Sequence, residues 1–310
     1  MKIFLSYFKD YFKDNFSLKA HLLIGLFIAI CIYANYQYEV YPKYFRVKNY
    51  SELGVIKLWG MFAFAFIVPL LIMAVFQKEK KTILNKHYLI FGLLGLFFVS
   101  LDSSYYTLKF VKQLIPYDIE GFSFYQSCLS NVNSLFTIMI PVFIVYYIVS
   151  YFKPELYGLK LNGVNIKSYL VLVAIMLPIV YISAVTQEDF TKYYPSYSFN
   201  RFQEANLSEV SKIALFEFCY GFDFISVELM FRGFMVVALS RFVGKDAILP
   251  MVACYAFLHF GKPMVETIGS VFGGFGLGIL AYKSRNIYGG LIVHLAVAWG
   301  MELSAFILIS

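Results

Sequence analysis

The sequence predicts an all-α protein, a polytopic transmembrane helical bundle of about eight or nine membrane segments with an N-terminal amphipathic interfacial helix. Two observations lead to this prediction. Hydrophobic residues make up 60% of the 310 residues and charged residues 15%, whereas soluble domains have about 45–50% and about 25%. The apolar residues also come mostly in continuous runs that can cross a hydrocarbon core of about 30 Å. A soluble enzyme, a disordered chain and an outer-membrane β-barrel with alternating strands are therefore excluded.

Residues 1–19 are predicted to form the interfacial helix. Phe4, Phe8, Tyr11 and Phe12 recur near helical spacing, with lysines and aspartates between them. A helix with one aromatic face and one charged face is typical of a segment lying in the membrane interface.

Nine hydrophobic segments follow, with ends defined to within a few residues. They are 20–37, 55–76, 87–101, 129–151, 168–186, 209–240, 247–260, 266–282 and 287–309. The sixth is too long for one simple span, so we expect it to tilt, to extend beyond the bilayer or to break near Gly221. No repeat or linker divides the chain, and residues 1–310 are predicted to be one membrane domain.

The net charge of +7 comes from bases scattered between the apolar runs. No basic domain forms, so nucleic acid is not an expected partner. More of these bases fall in the loops that share a side with the N-terminus, which predicts a cytoplasmic N-terminus. We expect an integral protein of the bacterial inner membrane. The four cysteines lack CxxC spacing and are interpreted as buried side chains without a disulfide or metal.

Ionisable residues inside the predicted segments concentrate in the last four segments. A charge near the bilayer centre costs about 2.5–3.5 kcal/mol on insertion scales, so such groups face the bundle interior and usually mark function. The residues concerned are Glu217, Asp223, Glu228, Arg232, His259, His294 and Glu302.

Helical geometry suggests that some of these groups meet. Glu217, Glu228 and Arg232 share one stripe of the sixth segment. Glu228, His259 and His294 lie at comparable depths on three different segments, so their side chains can reach a shared level. A carboxylate beside neutral imidazoles in a pocket of low dielectric constant can activate a water molecule for hydrolysis.

Simpler interpretations stay open for the same residues. Glu228 and Arg232, four residues apart, can neutralise each other, and each histidine can be a hydrogen-bonded interior residue. Two histidines and one glutamate can also bind zinc, but the HExxH pattern is absent, and we expect no metal. The glycines of the eighth segment indicate close helix packing rather than nucleotide binding. They are Gly269, Gly273, Gly274, Gly276 and Gly278.

Three motifs in the C-terminal third resemble those of the CPBP family, the CAAX proteases and bacteriocin-processing (Abi) membrane proteins. The EExxxR motif, often continuing as FRG, resembles residues 227–233, which read VELMFRG. The FxxxH motif resembles residues 255–259, YAFLH, and the HxxxN motif resembles residues 294–298, HLAVA. The resemblance covers residues 209–310, the predicted motif-bearing core.

The resemblance implies a glutamate-dependent intramembrane protease. In the family, the first Glu and the FxxxH histidine activate water, and the last His and the Asn stabilise the oxyanion. Here Val227 stands at the first Glu position, Ala298 at the Asn position and Tyr255 at the Phe position. Glu217 or Glu302 is a candidate for the missing carboxylate.

We therefore predict an intramembrane endopeptidase that hydrolyses peptide bonds of membrane-embedded or lipidated proteins with Glu- and His-activated water and no cofactor. The alternative is a catalytically degenerate relative that binds such a partner without cutting it, as Val227 and Ala298 suggest. A transporter ranks last because no inverted repeat with paired broken helices is visible. The predicted catalytic residues are Glu228, His259 and His294, with supporting residues Arg232, Glu217, Tyr255 and Glu302.

Overall fold

The computed structural model describes residues 2–14, 16–47, 50–76, 84–111, 113, 115, 119–149, 156–160, 164–187 and 190–309. Every regular element in these ranges is helical, which confirms the all-α prediction. Residues 1 and 15 of the predicted N-terminal segment and residues 150 and 151 of the predicted fourth segment lie outside the described ranges.

Eleven longer helices build the described part of the chain. They are α1 (Lys2–Lys13), α2 (Leu18–Tyr38), α3 (Glu52–Phe76), α4 (Lys86–Ser103), α5 (Phe122–Asn131), α6 (Ile140–Ile148), α7 (Ile166–Thr186), α8 (Glu209–Glu228), α9 (Ile248–Leu258), α10 (Met264–Ser284) and α11 (Tyr288–Ile309). Three π-helical segments, Tyr41–Phe45, Leu135–Met139 and Leu229–Ala238, and several single turns connect them.

Within the described residues, seven helices are long and apolar enough to cross a membrane. They are α2, α3, α7, α10, α11, a fourth-segment helix over Phe122–Ile148 and a third-segment helix over Lys86–Phe110. The sixth and seventh predicted segments are also helical but are not among these seven. The sixth carries many charges. The seventh contains α9, which has 11 residues and a length of about 16 Å. The protein is thus an integral membrane protein, and the predicted number of segments is approximate.

The sixth segment does not break at Gly221. Helix α8 passes through this glycine, where an added Cβ would lie 2.6 Å from Cζ2 of Trp299 on α11, so the glycine allows a close helix contact. The change comes directly after Glu228, where the chain continues as the π-helical segment Leu229–Ala238. π-Helical turns are rare and are frequent at functional sites.

The π-helical segment after α8 and helix α9 form the centre of the bundle. All residues of Leu229–Ala238 are buried, and all residues of α9 except its last are buried. Helix α9 packs against α3 and α10, and the π-helical segment packs against α10. The outer helices instead expose large apolar side chains, such as Leu170 and Ile182 of α7, as expected for surfaces that face lipid.

Helix α1 and the turn after α9 lie at opposite ends of the bundle. Phe4 and Tyr11 of α1 are buried, and Lys245 in the turn before α9 donates a hydrogen bond to the Tyr11 carbonyl (2.8 Å). After α9, Tyr36 near the end of α2 donates to the Lys262 carbonyl (2.6 Å). The position of α1 in the membrane interface stays a prediction.

Cys31, Cys128, Cys219 and Cys254 are free thiols, and the last three are buried.

Gly274 and Gly278 allow the α10–α9 contact, because an added Cβ would lie 3.1 Å from Tyr255 and 2.8 Å from Met251, respectively. An added Cβ at Gly269 or Gly273 would have nothing within 4 Å, so the packing prediction is wrong for these two.

We expect Gly233→Ala to lower the free energy of unfolding by about 1–3 kcal/mol because of overpacking. An added Cβ there would lie 2.7 Å from the Tyr157 carbonyl oxygen, a backbone atom that cannot rotate away. The matched control is Gly269→Ala, which should be neutral or stabilise by up to about 1 kcal/mol through helix propensity. Thermal unfolding in detergent compares the two variants, and equal midpoints would contradict the packing described here.

Candidate functional site

Three neighbouring elements bring the predicted site residues together. Glu228 is the last residue of α8, and Arg232 follows in the π-helical segment. Tyr255 is on α9, and His259 lies directly after its end. His294 is on α11, which packs against α8. Tyr255 lies between the two histidines, with ring centroids 4.7 Å from His259 and 6.1 Å from His294.

The Glu228 carboxylate is completely buried and contacts a cation and a histidine. Its Oε1 lies 3.1 Å from Nη1 of Arg232 and 2.9 Å from Nδ1 of His294. The side chains of Glu228 and Arg232 are 0% and 1% exposed. Helix α11 can approach this carboxylate only through Gly290, because an added Cβ there would lie 2.6 Å from Oε2 of Glu228. The ion pair is thus sealed from solvent.

Both ring nitrogens of His294 have partners. Since a carboxylate only accepts hydrogen bonds, Nδ1 donates to Glu228, and the Tyr255 hydroxyl can then donate to Nε2 (3.1 Å). The Arg232 guanidinium lies 4.3 Å from the centroid of the Tyr255 ring, a cation–π distance. Glu228, His294 and the hydroxyl of Tyr255 therefore form one continuous polar chain across three helices.

His259 has a free acceptor nitrogen that points to a different carboxylate. Its Nδ1 lies 2.8 Å from the Tyr255 carbonyl oxygen, which can only accept, so Nδ1 carries the proton. In the neutral ring, Nε2 is then unprotonated. Nε2 lies 4.0 Å from Oε1 of Glu266. Within the described residues, the carboxylate that faces His259 is therefore Glu266 rather than Glu228.

Glu266 was not among the residues selected from the sequence. It lies in the first turn of α10, seven residues after His259, at the predicted start of the eighth segment. Lys262 donates to its Oε1 (2.8 Å), and the Tyr194 hydroxyl donates to its Oε2 (2.7 Å). Burial opposes the charge of Lys262, but the Glu266 carboxylate raises the pKa of Lys262 above its usual value. Lys262 and Glu266 thus form an ion pair. The signal in the sequence is an acid seven residues after His259, at the start of the next apolar segment.

The two predicted supporting carboxylates, Glu302 and Glu217, have different surroundings. Glu302 accepts from the backbone N–H of Ser196, with distances of 2.8 and 3.1 Å to its two oxygens. Both oxygens of Glu217 are buried and have no hydrogen-bond partner among the described residues. Ala298 is completely buried, and Val227 packs against the main core. Val227 and Ala298, at the Glu and Asn positions of the motifs, therefore supply neither a carboxylate nor an amide.

The described residues contain no group of three or more His, Cys, Asp or Glu side chains placed to hold a metal ion. Glu228 contacts one histidine and Glu266 faces the other, so the predicted zinc alternative of two histidines and one glutamate has no common centre. The arrangement instead offers acid–base chemistry. It combines one sealed chain of polar groups with one histidine nitrogen that is free to accept a proton.

A comparison with protein families finds a match over residues 210–300 to the family described as type II CAAX prenyl endopeptidase Rce1-like. This match confirms the resemblance to the CAAX proteases over the C-terminal third. The matched region contains all three motifs and the polar groups around Tyr255. No curated protein and no solved structure matches the chain.

We expect Arg232→Met to lower the free energy of unfolding by about 3–5 kcal/mol, because Glu228 would keep a buried charge without its counter-ion. The double variant Glu228→Gln/Arg232→Met should cost less than the sum of the two single variants by about 0.5–3 kcal/mol. Reversible unfolding in mixed micelles measures this cycle, and strict additivity would show that the two charges do not interact.

Proposed function

We propose that this chain is an intramembrane endopeptidase that hydrolyses peptide bonds of membrane-associated, lipidated proteins. One observation supports the proposal most. A polar chain and a histidine with a free acceptor nitrogen meet around Tyr255, inside the region that matches the CAAX endopeptidase family. The match supplies the reaction class, and the contacts supply the groups that can perform it.

His259 acts as the general base in this proposal. Its Nε2 accepts a proton from water while the water oxygen attacks the carbonyl carbon of the peptide bond. When the tetrahedral intermediate collapses, the same nitrogen returns the proton to the leaving amine. Helix α9 holds the ring for this task through the bond from Nδ1 to the Tyr255 carbonyl.

The Glu228–His294–Tyr255 chain holds the groups that bind the developing oxyanion. The sequence predicts water activation by Glu228, but a carboxylate that is 0% exposed is poorly placed to contact water. We therefore assign Glu228 the role of orienting His294. To bind the oxyanion in this proposal, the Tyr255 hydroxyl turns its single proton from Nε2 of His294 to the developing negative oxygen. Preorganised donors of this kind stabilise charge that develops in the transition state.

An apolar cavity at the end of α9 suits a lipidated substrate. It has a volume of about 360 Å³ and lies between α2, α3 and the end of α9. Phe257 and Phe260, on either side of His259 in the sequence, line it together with Phe64 and Met61. We propose that it receives the lipid chain of the substrate. The family description names prenyl substrates, and we propose a prenyl group here. We also propose a bacterial inner-membrane location, and the distribution of bases supports a cytoplasmic N-terminus.

We expect His259→Ala to lower kcat/KM by about 10²–10⁴-fold through the loss of the general base. The assay follows cleavage of a farnesylated CAAX peptide, carrying a fluorophore and a quencher, by the full chain in proteoliposomes. His21→Ala is the matched control, because His21 bonds to Tyr11 and Ser17, away from the site, and it should stay within a few-fold of the wild-type rate.

Unchanged cleavage by His259→Ala would reject the assignment of the base. A wild-type chain that cleaves no peptide but retains the farnesylated peptide, and not its unmodified form, would instead support the binding-only function that Val227 and Ala298 suggest.

A further inference from the structure

The family motif places a glutamate at position 227, where this chain has Val227. The usual carboxylate partner of the FxxxH histidine is therefore missing from α8. The next residue, Glu228, does not replace it, because its carboxylate is sealed against Arg232 and His294. His259 nevertheless faces a carboxylate, and that carboxylate comes from a different helix.

We propose that Glu266 of α10 activates the hydrolytic water together with His259 and so takes over the role lost at Val227. This inference rests on the proposed endopeptidase function. It identifies the second group of the water-binding pair, which lies outside all three motifs of the family.

The distance between the two groups fits one water molecule. Nε2 of His259 and Oε1 of Glu266 are 4.0 Å apart, which is longer than a direct hydrogen bond of about 2.7–3.2 Å. One water oxygen can lie within hydrogen-bond distance of both atoms. Both atoms are acceptors, so the water would donate one proton to each and keep a lone pair for attack.

Exposure separates the His259–Glu266 pair from the buried Glu228–Arg232 ion pair. The side chains of His259 and Glu266 are 9% and 15% exposed, and that of the neighbouring Lys262 is 39% exposed. Glu228 and Arg232 are 0% and 1% exposed. Water and a substrate therefore have access to Glu266 without a rearrangement of the ion pair.

The turn between α9 and α10 fixes the two groups relative to each other. Thr267, the residue after Glu266, is completely buried, and its hydroxyl donates to the His259 carbonyl (2.7 Å). The Tyr36 hydroxyl lies 2.6 Å from both the Thr267 hydroxyl and the Lys262 carbonyl oxygen. The Glu266 carboxylate is itself held by Lys262 and Tyr194. Such a supporting set of contacts is what a preorganised catalytic group requires.

The proposed reaction is the hydrolysis of one peptide bond. The water oxygen bonds to the carbonyl carbon, one water proton moves to Nε2 of His259, and the carbonyl oxygen takes the electron pair. The Glu266 carboxylate accepts a hydrogen bond from the remaining water proton and stabilises the imidazolium that forms. On collapse the C–N bond breaks, and the imidazolium returns its proton to the amine, which leaves one carboxyl and one amine product.

The chain contains a close structural match to this glutamate without a neighbouring histidine. Glu209, in the first turn of α8, accepts from the Tyr197 hydroxyl (2.6 Å) and pairs with Lys212 (2.6 Å). Glu266 has the same kinds of partner, Tyr194 and Lys262. Glu209→Gln therefore reproduces the loss of a Tyr–Glu–Lys contact without touching the proposed water site.

The test compares Glu266→Gln, Glu266→Ala and Glu209→Gln in the proteoliposome assay with the farnesylated peptide. We expect Glu266→Gln to lower kcat by about 10²-fold or more with KM changed less than about three-fold, because ground-state binding is retained. Glu209→Gln should keep the wild-type kcat. Added sodium formate should restore part of the cleavage by Glu266→Ala, but none by His259→Ala.

Three outcomes overturn the inference. Wild-type kcat in Glu266→Gln would remove Glu266 from the reaction while leaving the endopeptidase function intact. A loss of cleavage that formate does not restore in folded Glu266→Ala would assign Glu266 a structural role only. A wild-type chain without cleavage would overturn the proposed function and this inference together.

Discussion

The buried ion pair between Glu228 and Arg232 is the constraint on which the site depends. A carboxylate without solvent contact needs a nearby positive charge and hydrogen-bond donors, because an unpaired charge in a low-dielectric interior costs several kcal/mol. Arg232, four residues later, and the Nδ1–H of His294 meet this need at Oε1, whereas the buried Oε2 has no hydrogen-bond partner among the described residues. The pair therefore fixes how α8, the π-helical segment after it and α11 approach one another, and with them the position of Tyr255.

The site has two parts with different access to water. Glu228 and Arg232 are 0% and 1% exposed, and His294, which bonds to Glu228, is 13% exposed. His259 and Glu266 lie at the end of α9, where the chain turns into α10 and where Lys262 is partly exposed. Separation of the sealed Glu228–Arg232 ion pair from the more exposed Glu266 lets one small bundle keep a buried charge and still admit water for hydrolysis.

Much of this arrangement follows from the sequence. The helical class, the concentration of ionisable groups in the C-terminal third and the approach of Glu228, His259 and His294 to one region follow from apolar segment length and helical spacing. The group that each carboxylate contacts does not follow from the sequence. Whether Glu228 faces His259 or His294 depends on the rotation of α11 and on the π-helical geometry after Glu228, which spacing does not encode. Glu266 is reached through a non-helical turn, so no helical periodicity relates it to His259. The Glu302 carboxylate accepts a hydrogen bond from the backbone N–H of Ser196, a loop residue more than 100 positions away.

The most direct test is the nitrogen-15 NMR spectrum of the histidine-labelled chain in lipid nanodiscs, compared with its Glu228→Gln and Glu266→Gln variants. Glu228→Gln should change the ring-nitrogen signals of His294 and leave those of His259 in place, whereas Glu266→Gln should do the reverse. A Glu228→Gln spectrum in which His259 shifts and His294 does not would contradict the pairing of Glu228 with His294 and of Glu266 with His259.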